Sequence, residues 1–388
     1  MAKFEIAYIA CYDLRRDTAA TEHIIQIVNG LGRYGHKIYL YAKNIGERTF
    51  GDNVYPVSVG ESKCMFFDKN VCDRYLKQRE KFDIVYLRDF LGARKVVHWA
   101  KSHDVPLVIE HNGLEHIEWK RISNILNYIP YFFDLNYWLP ARVKKADLNI
   151  VVTGAIGDFL ADEYDVPREK FVHIPNGVDI ERFHIEKDRI SLRKKLGLLP
   201  EDAIWFGYIG SMYPWHILID VVEAFEMVAQ KIDNIFLLLA GKGPELKKLM
   251  KHRNMSKFAD RIKIVSPLPI EISHLYISAL DVGIALMSPD VAPYCWQVKV
   301  NHYAACGVPS VITYDEQFDE LIGNNVVWAI KDLDRNNIAD YIVKIINDNN
   351  FDEIGQKARA YVENNLSWEL IVKRTNCLLE NVICSEIK

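Results

Sequence analysis

Glycine, serine, histidine and lysine residues follow four successive strand-like segments in the second half of the sequence. They lie in the turns Gly210-Ser211-Met212-Tyr213-Pro214-Trp215-His216, Gly241-Lys242-Gly243-Pro244, Ser266-Pro267-Leu268 and in the loop 288–299, which ends at Lys299. Parallel strands end at one edge of a sheet, where backbone N–H groups at helix starts bind anions. Any one of these turns would also suit a purely structural role, because α/β proteins turn on glycine throughout. Their shared position predicts a site for a phosphate-bearing ligand.

The segment 285–313 is the centre of this predicted site. The apolar run 281–287 predicts a buried strand, residues 298–306 predict a short helix, and residues 308–313 predict the next strand. Lys299 lies in the first turn of the helix, where a cation opposes the helix dipole but suits a bound phosphate. We therefore expect Lys299 to contact the ligand.

The first half places fewer polar residues after its predicted strands. Glu110-His111-Asn112-Gly113 follows the strand 105–110, and we expect His111 and Asn112 to contact a substrate hydroxyl or phosphate. A histidine with a structural role is the plainer alternative. Asp13, Arg15, Arg16 and Asp17 follow the first strand and also suit an ordinary charged loop.

Alternating strands and helices must position these residues. The predicted strands are 3–10, 36–42, 82–87, 105–110, 148–152 and 171–174 in the first half, and 203–209, 235–240, 261–265, 281–287 and 308–313 in the second. Helical patterns separate them, which predicts parallel sheets with helices on both faces. A polar, turn-rich stretch after Pro175-Asn176-Gly177 places a domain boundary near residues 178–190. The chain therefore reads as α/β, with two Rossmann-like doubly wound domains.

The composition and the motifs that are missing exclude several classes of protein. The 388 residues carry a net charge of -4, which gives no reason to expect a nucleic-acid partner. No apolar run approaches the roughly 18 residues of a membrane-spanning helix. The seven cysteines include no C-x-x-C pair, which argues for a reducing compartment and against structural zinc. No G-x-G-x-x-G follows the first strand and no Walker A motif occurs, which weighs against dinucleotide and P-loop enzymes. We interpret the protein as cytoplasmic.

The tract 116–145 departs from this alternation, because it is long, aromatic and basic. Two packed helices with solvated ends would explain it. A face that meets a membrane surface or a lipid-linked substrate is the alternative, and it would make the protein peripheral at the inner face of a membrane.

Several of these segments resemble the GT-B-fold retaining glycosyltransferases of family 4. The matching segments are HIPNGVDIERF at 173–183, GYIGSMYPWHILIDVVEAF at 207–225, LLLAGKGPELKKL at 237–249 and VKVNHYAACGVPSVIT at 298–313. The resemblance covers nearly the whole chain and implies two domains that face each other across a cleft. Residues 1–183 would form the acceptor domain and residues 184–366 the nucleotide-sugar donor domain. A C-terminal helix, 367–388, would cross back to the first domain.

The resemblance also implies a reaction and its residues. A sugar would pass with retention from a UDP- or GDP-sugar to a glycan, lipid-linked or other hydroxyl acceptor, without metal or cofactor. The implied catalytic residues are His111, Lys299 and His216. The implied substrate-binding residues are Gly210 and Ser211 at the diphosphate, Ser266 and Leu268 at the base, and Lys242, Tyr294, His302 and Asn112.

Two departures from the family pattern bear on catalysis. The family commonly has two glutamates separated by seven residues, and Tyr294 and His302 occupy those positions here. An arginine–lysine pair usually binds the diphosphate, and Ser211 and His216 replace it. A protonated His216 would restore one positive charge. The sequence thus leaves two alternatives to an active transferase: a catalytically impaired nucleotide-sugar-binding protein and a UDP-sugar epimerase.

Overall fold

Two parallel sheets, each in its own compact unit, carry the candidate residues. The computed structural model describes residues 3–78, 81–114, 117 and 125–385, and only the backbone of residues 125–128 and 385. Unit 1 comprises the described residues within 1–177, 294–296 and 368–388, and unit 2 those within 178–293 and 297–367. The boundaries predicted from the sequence were 183/184 and 366/367.

Unit 1 contains a seven-stranded sheet of order β3-β2-β1-β4-β5-β6-β7, parallel throughout. Its strands are β1 (Glu5–Asp13), β2 (Lys37–Asn44), β3 (Val54–Ser58), β4 (Ile84–Arg88), β5 (Leu107–His111), β6 (Leu148–Val151) and β7 (Phe171–His173). Its helices before the boundary are α1 (Ala19–Arg33), α2 (Cys64–Arg74), α3 (Lys95–Ser102), α4 (Ile125–Phe133), α5 (Leu139–Lys145) and α6 (Gly154–Tyr164). A π-helical turn, Asp134–Trp138, joins α4 to α5. Apolar residues are buried on both faces of the sheet, as a parallel sheet requires.

Unit 2 contains a six-stranded parallel sheet of order β10-β9-β8-β11-β12-β13. Its strands are β8 (Ile204–Ile209), β9 (Ile235–Ala240), β10 (Ile262–Val265), β11 (Val282–Ala285), β12 (Ser310–Thr313) and β13 (Val327–Ile330). Its helices are α7 (Arg189–Leu196), α8 (Leu218–Ala229), α9 (Leu246–Met255), α10 (Ser273–Ser278), α11 (Val298–Ala305), α12 (Asp319–Gly323), α13 (Arg335–Asp348) and α14 (Phe351–Asn365). The loops after β8, β9, β10 and β11 carry the predicted donor residues.

The C-terminal helix α15 (Trp368–Ser385) belongs to unit 1. Trp368, Ile371, Val372, Leu379 and Ile383 are buried in the same apolar core as β1 and α1. A Cβ built on Gly30 of α1 would lie 2.4 Å from Val372, so the absence of a side chain at Gly30 lets the two helices touch. The predicted return of this helix to the first domain is confirmed.

The predicted strands are all present, but two outer strands and the helices α2, α7 and α12 were not predicted. β3 contains Pro56 and buries only the first of its five residues, so its sequence lacks the alternation of a half-buried strand. β13 has four residues and lies at the other sheet's edge. Helix α2 buries Asp68 together with Phe67, Val71 and Cys72 and exposes Met65 and Phe66, so its sequence does not show the pattern of an apolar and a polar face. Residues 118–124 of the aromatic tract lie outside the described residues.

Candidate functional site

Lys299 lies against the end of β8 in unit 2. Its Nζ is 5.1 Å from the centre of the Tyr208 ring. A Cβ built on Gly210 would be 3.4 Å from Cε of Lys299, so the lysine stem passes directly beside the glycine backbone. The Tyr208 hydroxyl donates to the Ser211 carbonyl at 2.5 Å and closes the turn. The sequence prediction that Gly210 and Lys299 share one site is consistent with this placement.

The glycines after β8 and β9 allow two loops to run in backbone contact. Gly241 has a φ of 141°, and a Cβ on it would lie 1.9 Å from the Gly210 carbonyl oxygen. The Met212 amide donates to the Lys242 carbonyl at 2.9 Å. Only glycine accommodates both this φ and this approach. Ser211 and Lys242 are thereby held side by side, and both are exposed.

His216 is buried at the end of a short turn, 3₁₀ in form, that precedes α8. Burial lowers the pKa of its imidazole well below the ordinary value, and the Lys299 ammonium lowers it further. Its Nδ1 has no hydrogen-bond partner within the part of the chain that the structure describes. His216 is therefore neutral at pH 7, and it does not replace the missing cation of the family pattern.

His302 lies on α11 and stacks on Phe183, with ring centres 4.0 Å apart and planes inclined by 5°. Burial lowers its pKa to about 3, with smaller contributions from Arg182 and Lys299. Its buried Nε2 has no hydrogen-bond partner in the described residues. A neutral imidazole with one unused nitrogen suits a ligand hydroxyl better than an anion.

The other predicted donor residues lie at the strand ends but make few contacts. Ser266 directly follows β10 and is exposed, and Leu268 is half-buried. Tyr294 is grouped with unit 1, where its ring meets Phe159 edge-on at 5.9 Å. None of these placements tests their predicted roles.

Unit 1 carries a separate cavity of about 230 Å³ at the carboxyl ends of its strands. It is lined by Cys11, Tyr12, Arg88, Asp89, Phe90, Leu91, His111, Asn112, Gly113, Leu114, Tyr131, Asp134, Leu135, Leu139 and Arg142. His111 and Asn112, both selected from the sequence, line this cavity, and their neighbours there are mainly charged or aromatic. A cavity with this lining suits a hydroxyl-rich ligand.

Both ring nitrogens of His111 are engaged within unit 1. Nδ1 is 3.1 Å from an Asp89 carboxylate oxygen, and Nε2 is 3.0 Å from Oδ1 of Asn149. The Asn149 amide nitrogen donates to the Val143 carbonyl, which leaves its oxygen as the acceptor. These two contacts fix the orientation of the imidazole ring in the cavity wall.

Arg142 holds the cavity wall together. Its guanidinium contacts Asp89 at 2.5 Å and Asp134 at 2.7 Å, and all three residues are largely shielded from water. Burial alone would raise the pKa of Asp89, but Arg142 and His111 together hold it well below its usual range. The π-helical turn Asp134–Trp138 begins at one of these carboxylates, and the Asp134 side chain also accepts from the Gly92 amide at 2.8 Å. Wide turns of this kind recur at functional sites.

Glu110 forms a second buried charge cluster behind the cavity. Its carboxylate lies 2.8 Å from His23 Nε2 and 3.1 Å from Arg88, and it accepts from the Tyr86 hydroxyl at 2.5 Å. Burial alone would raise its pKa, but these partners hold the pKa well below its usual range. Glu110 also accepts from the Asn112 amide at 2.5 Å, which orients that residue.

Several of these cavity residues were not predicted from the sequence. Asp89 directly follows β4, so the strand-end rule that found His111 would have found it too. Asp134 and Arg142 lie far from any strand end, and only the folded helix brings them to the cavity.

The described residues contain neither a candidate metal site nor a candidate membrane span. No cluster of three or more His, Cys, Asp and Glu side chains has the arrangement of a metal site there. Among the described helices, none combines the length and the apolar character needed to cross a membrane.

Two protein-family models match the chain. The model described as Glycosyltransferase Family 4 matches residues 20–182, and the model described as Glycosyl transferases group 1 matches residues 203–348. Both descriptions agree with the resemblance found in the motifs.

A curated relative is the uncharacterized glycosyltransferase MJ1069 of Methanocaldococcus jannaschii. It is 24% identical over 271 residues, which cover 67% of this chain and 65% of the relative. The match therefore spans just under two thirds of the relative's length.

Several solved structures share the fold. Sucrose-phosphate synthase from Thermosynechococcus elongatus has a TM-score of 0.78 at 16% identity and covers 99% of this chain and 100% of its own. Anabaena Alr3699/HepE, solved with UDP and glucose, has a TM-score of 0.73 at 16% identity, with 97% and 99% covered. WaaG, a glycosyltransferase involved in lipopolysaccharide biosynthesis, has a TM-score of 0.72 at 13% identity, with 96% and 99% covered. These likenesses confirm the predicted fold class.

Proposed function

The chain belongs to the group 1 glycosyltransferases of family 4, and we propose that it transfers a sugar from a nucleotide diphosphate sugar to a hydroxyl acceptor. The observation that carries this proposal is Lys299 beside the backbone of Gly210, at the carboxyl end of β8. A cation beside a glycine turn, in the first turn of a helix, is an arrangement that suits a diphosphate. The donor is a UDP- or GDP-sugar, and the complex of the Anabaena neighbour with UDP-glucose favours UDP.

We propose a retaining reaction without metal or cofactor. The bond between the anomeric carbon and the diphosphate oxygen breaks, and Lys299 with the first-turn amides of α11 stabilises the negative charge that develops on that oxygen. The acceptor hydroxyl attacks the anomeric carbon on the same face, and its proton passes to the departing phosphate. His302 offers one hydrogen bond to a donor hydroxyl. Lys242, in the loop after β9, supplies a second cation for the diphosphate.

The acceptor is a glycan or a lipid-linked hydroxyl compound that binds in the unit 1 cavity. Its charged and aromatic lining supports this assignment. Since both His111 nitrogens already have hydrogen-bond partners within the unit, we assign His111 to shaping the cavity wall. The cysteines are all free thiols, which supports the cytoplasmic location predicted above.

One observation favours a second candidate, a nucleotide-sugar-binding protein with weak or no catalysis. His216 is neutral and Ser211 carries no charge, so two of the family's usual cations are missing. A UDP-sugar epimerase is the third candidate, and it would need no acceptor. Product analysis separates the three, because only a transferase forms a new glycoside.

The test is a panel of UDP-, GDP- and ADP-sugars, assayed by thermal shift and by product formation. We expect stabilisation by one nucleotide series, of about 2.7 kcal/mol at 100 times its Kd. Lys299→Met should lower kcat/KM by a factor on the order of 10² or more, because one cation at the leaving group is lost. Lys247→Met, an exposed lysine on α9, is the matched control and should leave kcat/KM unchanged. Binding without turnover of any donor would favour the second candidate, and no binding at all would reject the proposal.

A further inference from the structure

One face of α4 and its π-helical turn is apolar and exposed. Ile129, Phe132, Phe133 and Tyr137 are 49%, 52%, 47% and 63% exposed. Their spacing along the chain places them on one side of the helix. The rings of Phe132 and Phe133 are 5.9 Å apart, and those of Phe133 and Tyr137 are 6.2 Å apart, so they form a continuous aromatic surface.

A second exposed pair extends this surface. Met65 and Phe66, at the start of α2, are 45% and 61% exposed. A Cβ built on Gly92 would lie 3.0 Å from Cγ of Met65 and 3.6 Å from the Trp138 ring, so the two segments meet at Gly92. We call Met65, Phe66, Ile129, Phe132, Phe133, Tyr137 and Trp138 the apolar face. Its six most exposed members are nearly half of the thirteen large hydrophobic side chains exposed in the described residues, so the exposure is concentrated.

Basic side chains border the apolar face. Lys63, Lys69, Arg94 and Lys95 are all exposed on α2, α3 or the residue just before them. The Arg94 guanidinium lies 5.2 Å above the Trp138 ring, which ties the charge to the aromatic surface. Three acidic residues lie near these charges. Asp68 is buried and accepts from the first amides of α3, whereas Glu61 and Asp73 are exposed and form ion pairs with Arg15 and Lys77. The four basic side chains therefore outnumber the nearby exposed carboxylates. Exposed aromatic residues within a basic rim match an interface with anionic lipid head groups.

The same helix lines the cavity with its other side. Tyr131, Asp134 and Leu135 alternate with the exposed residues and face the unit 1 cavity. We propose that the apolar face docks unit 1 on an anionic membrane surface. A bilayer at the apolar face lies one helix away from the unit 1 cavity, to which the proposed function assigns the acceptor. The inference therefore rests on the proposed function and deepens it, because it makes a lipid-linked compound the acceptor class.

The test is co-sedimentation of the full chain with vesicles. We expect binding to vesicles of phosphatidylglycerol and phosphatidylcholine, and binding weaker by about tenfold or more to phosphatidylcholine alone. The variant Phe132→Ser/Phe133→Ser/Tyr137→Ser should lose at least tenfold in partition, because three exposed rings no longer insert. Met250→Ser/Met255→Ser, exposed methionines on α9, is the matched control and should bind as the parent does. Lack of binding by the parent, or equal binding by the aromatic variant, would overturn the proposal.

Charge and location give independent readouts. Lys63→Glu/Lys69→Glu should weaken binding on the order of tenfold, and Lys247→Glu/Lys251→Glu should not. Hydrogen exchange of residues 129–138 should slow when phosphatidylglycerol vesicles are present, and protection confined to unit 2 would overturn the proposal. A change of oligomeric state in the aromatic variant without any vesicle binding by the parent would instead identify the face as an interface between copies.

The two proposals fail in different ways. If the aromatic variant keeps its thermal shift with the nucleotide but loses vesicle binding, docking is supported and the donor site is intact. If vesicle binding follows these expectations and no nucleotide sugar binds, docking stands and the proposed function fails.

Discussion

At the scale of single residues, two histidines of the unit 2 site contribute no positive charge. His216 and His302 are both neutral at pH 7, because burial disfavours their imidazolium forms. Positive charge at the site therefore depends on Lys299 and Lys242 and on backbone amides. The groups that would stabilise a bound diphosphate are therefore ones whose charge does not change near neutral pH.

A pH dependence of stability follows from His302. Its folded pKa of about 3 lies below the ordinary value of 6.5, so the unfolded chain binds the proton more readily. Its contribution to the unfolding free energy is fully present above about pH 6.5 and is lost as the pH falls toward 3. We expect His302→Gln, which does not titrate, to lose less stability than the parent between pH 6.5 and 4. Urea unfolding at a series of pH values measures this difference.

Parallel slopes for parent and variant would show that the pKa of His302 does not differ between the folded and unfolded states, and would contradict the expectation. Lys63→Gln is a suitable control, because Lys63 is an exposed residue of unit 1, whereas the imidazole of His302 is buried in unit 2.

The paired loops after β8 and β9 are the decisive elements of the donor site. They touch through backbone alone, with Gly241 against the carbonyl of Gly210. Both loops can be predicted from the sequence, because each has glycine directly after a strand-like segment. The contact between them could not be predicted, because it depends on the pairing of β8 with β9.

Gly241→Ala tests this contact. The new Cβ would lie 1.9 Å from an oxygen and would require a φ of 141°, so we expect a loss of at least about 2 kcal/mol in unfolding free energy. Nucleotide binding should weaken as well, since the Gly210 turn must shift. Gly323→Ala is the control: Gly323 ends α12, and a Cβ there meets nothing within 4 Å. Equal unfolding midpoints for the two variants would contradict the expectation.

Whether an element can be predicted from the sequence depends on whether local pattern or a distant contact determines it. Buried strands with continuous apolar runs, such as β9, can be predicted from their local sequence pattern. β3 and α2 do not, because β3 lies at a sheet edge with a proline, and α2 is fixed by Asp68, whose carboxylate accepts the Lys95 and Val96 amides. Interactions between distant residues decide these elements, as they decide the Asp89–Arg142–Asp134 cluster.

At the scale of the whole molecule, unit 1 combines residues from both ends of the described chain. Trp368 begins α15, lies against Gly177 and meets His23 edge-on with ring centres 5.2 Å apart. Farther along the helix, the buried Asn376 side chain bonds His36 at 2.6 Å. The family resemblance predicted this return, whereas the residues that secure it could be identified only in the structure.

Trp368→Ala should weaken unit 1 without weakening unit 2. Removing a buried tryptophan costs about 3–5 kcal/mol, and its contacts lie with α1 and Gly177. Hydrogen exchange should therefore accelerate in β1 and α1 and stay unchanged in β8 and β9. Lys373→Ala, an exposed position on α15, should alter neither set. Equal acceleration in both units would show that they unfold together.

The position of α15 in the chain has a consequence for biosynthesis. A ribosome delivers the strands of unit 1 first, then all of unit 2, and only afterwards the five apolar side chains of α15 that fill the core beside β1 and α1. Unit 2 can fold while translation continues, whereas unit 1 lacks until then the helix that packs against His23 and Gly30 of α1. Nascent chains stalled before residue 368 should accordingly be substrates for cellular chaperones.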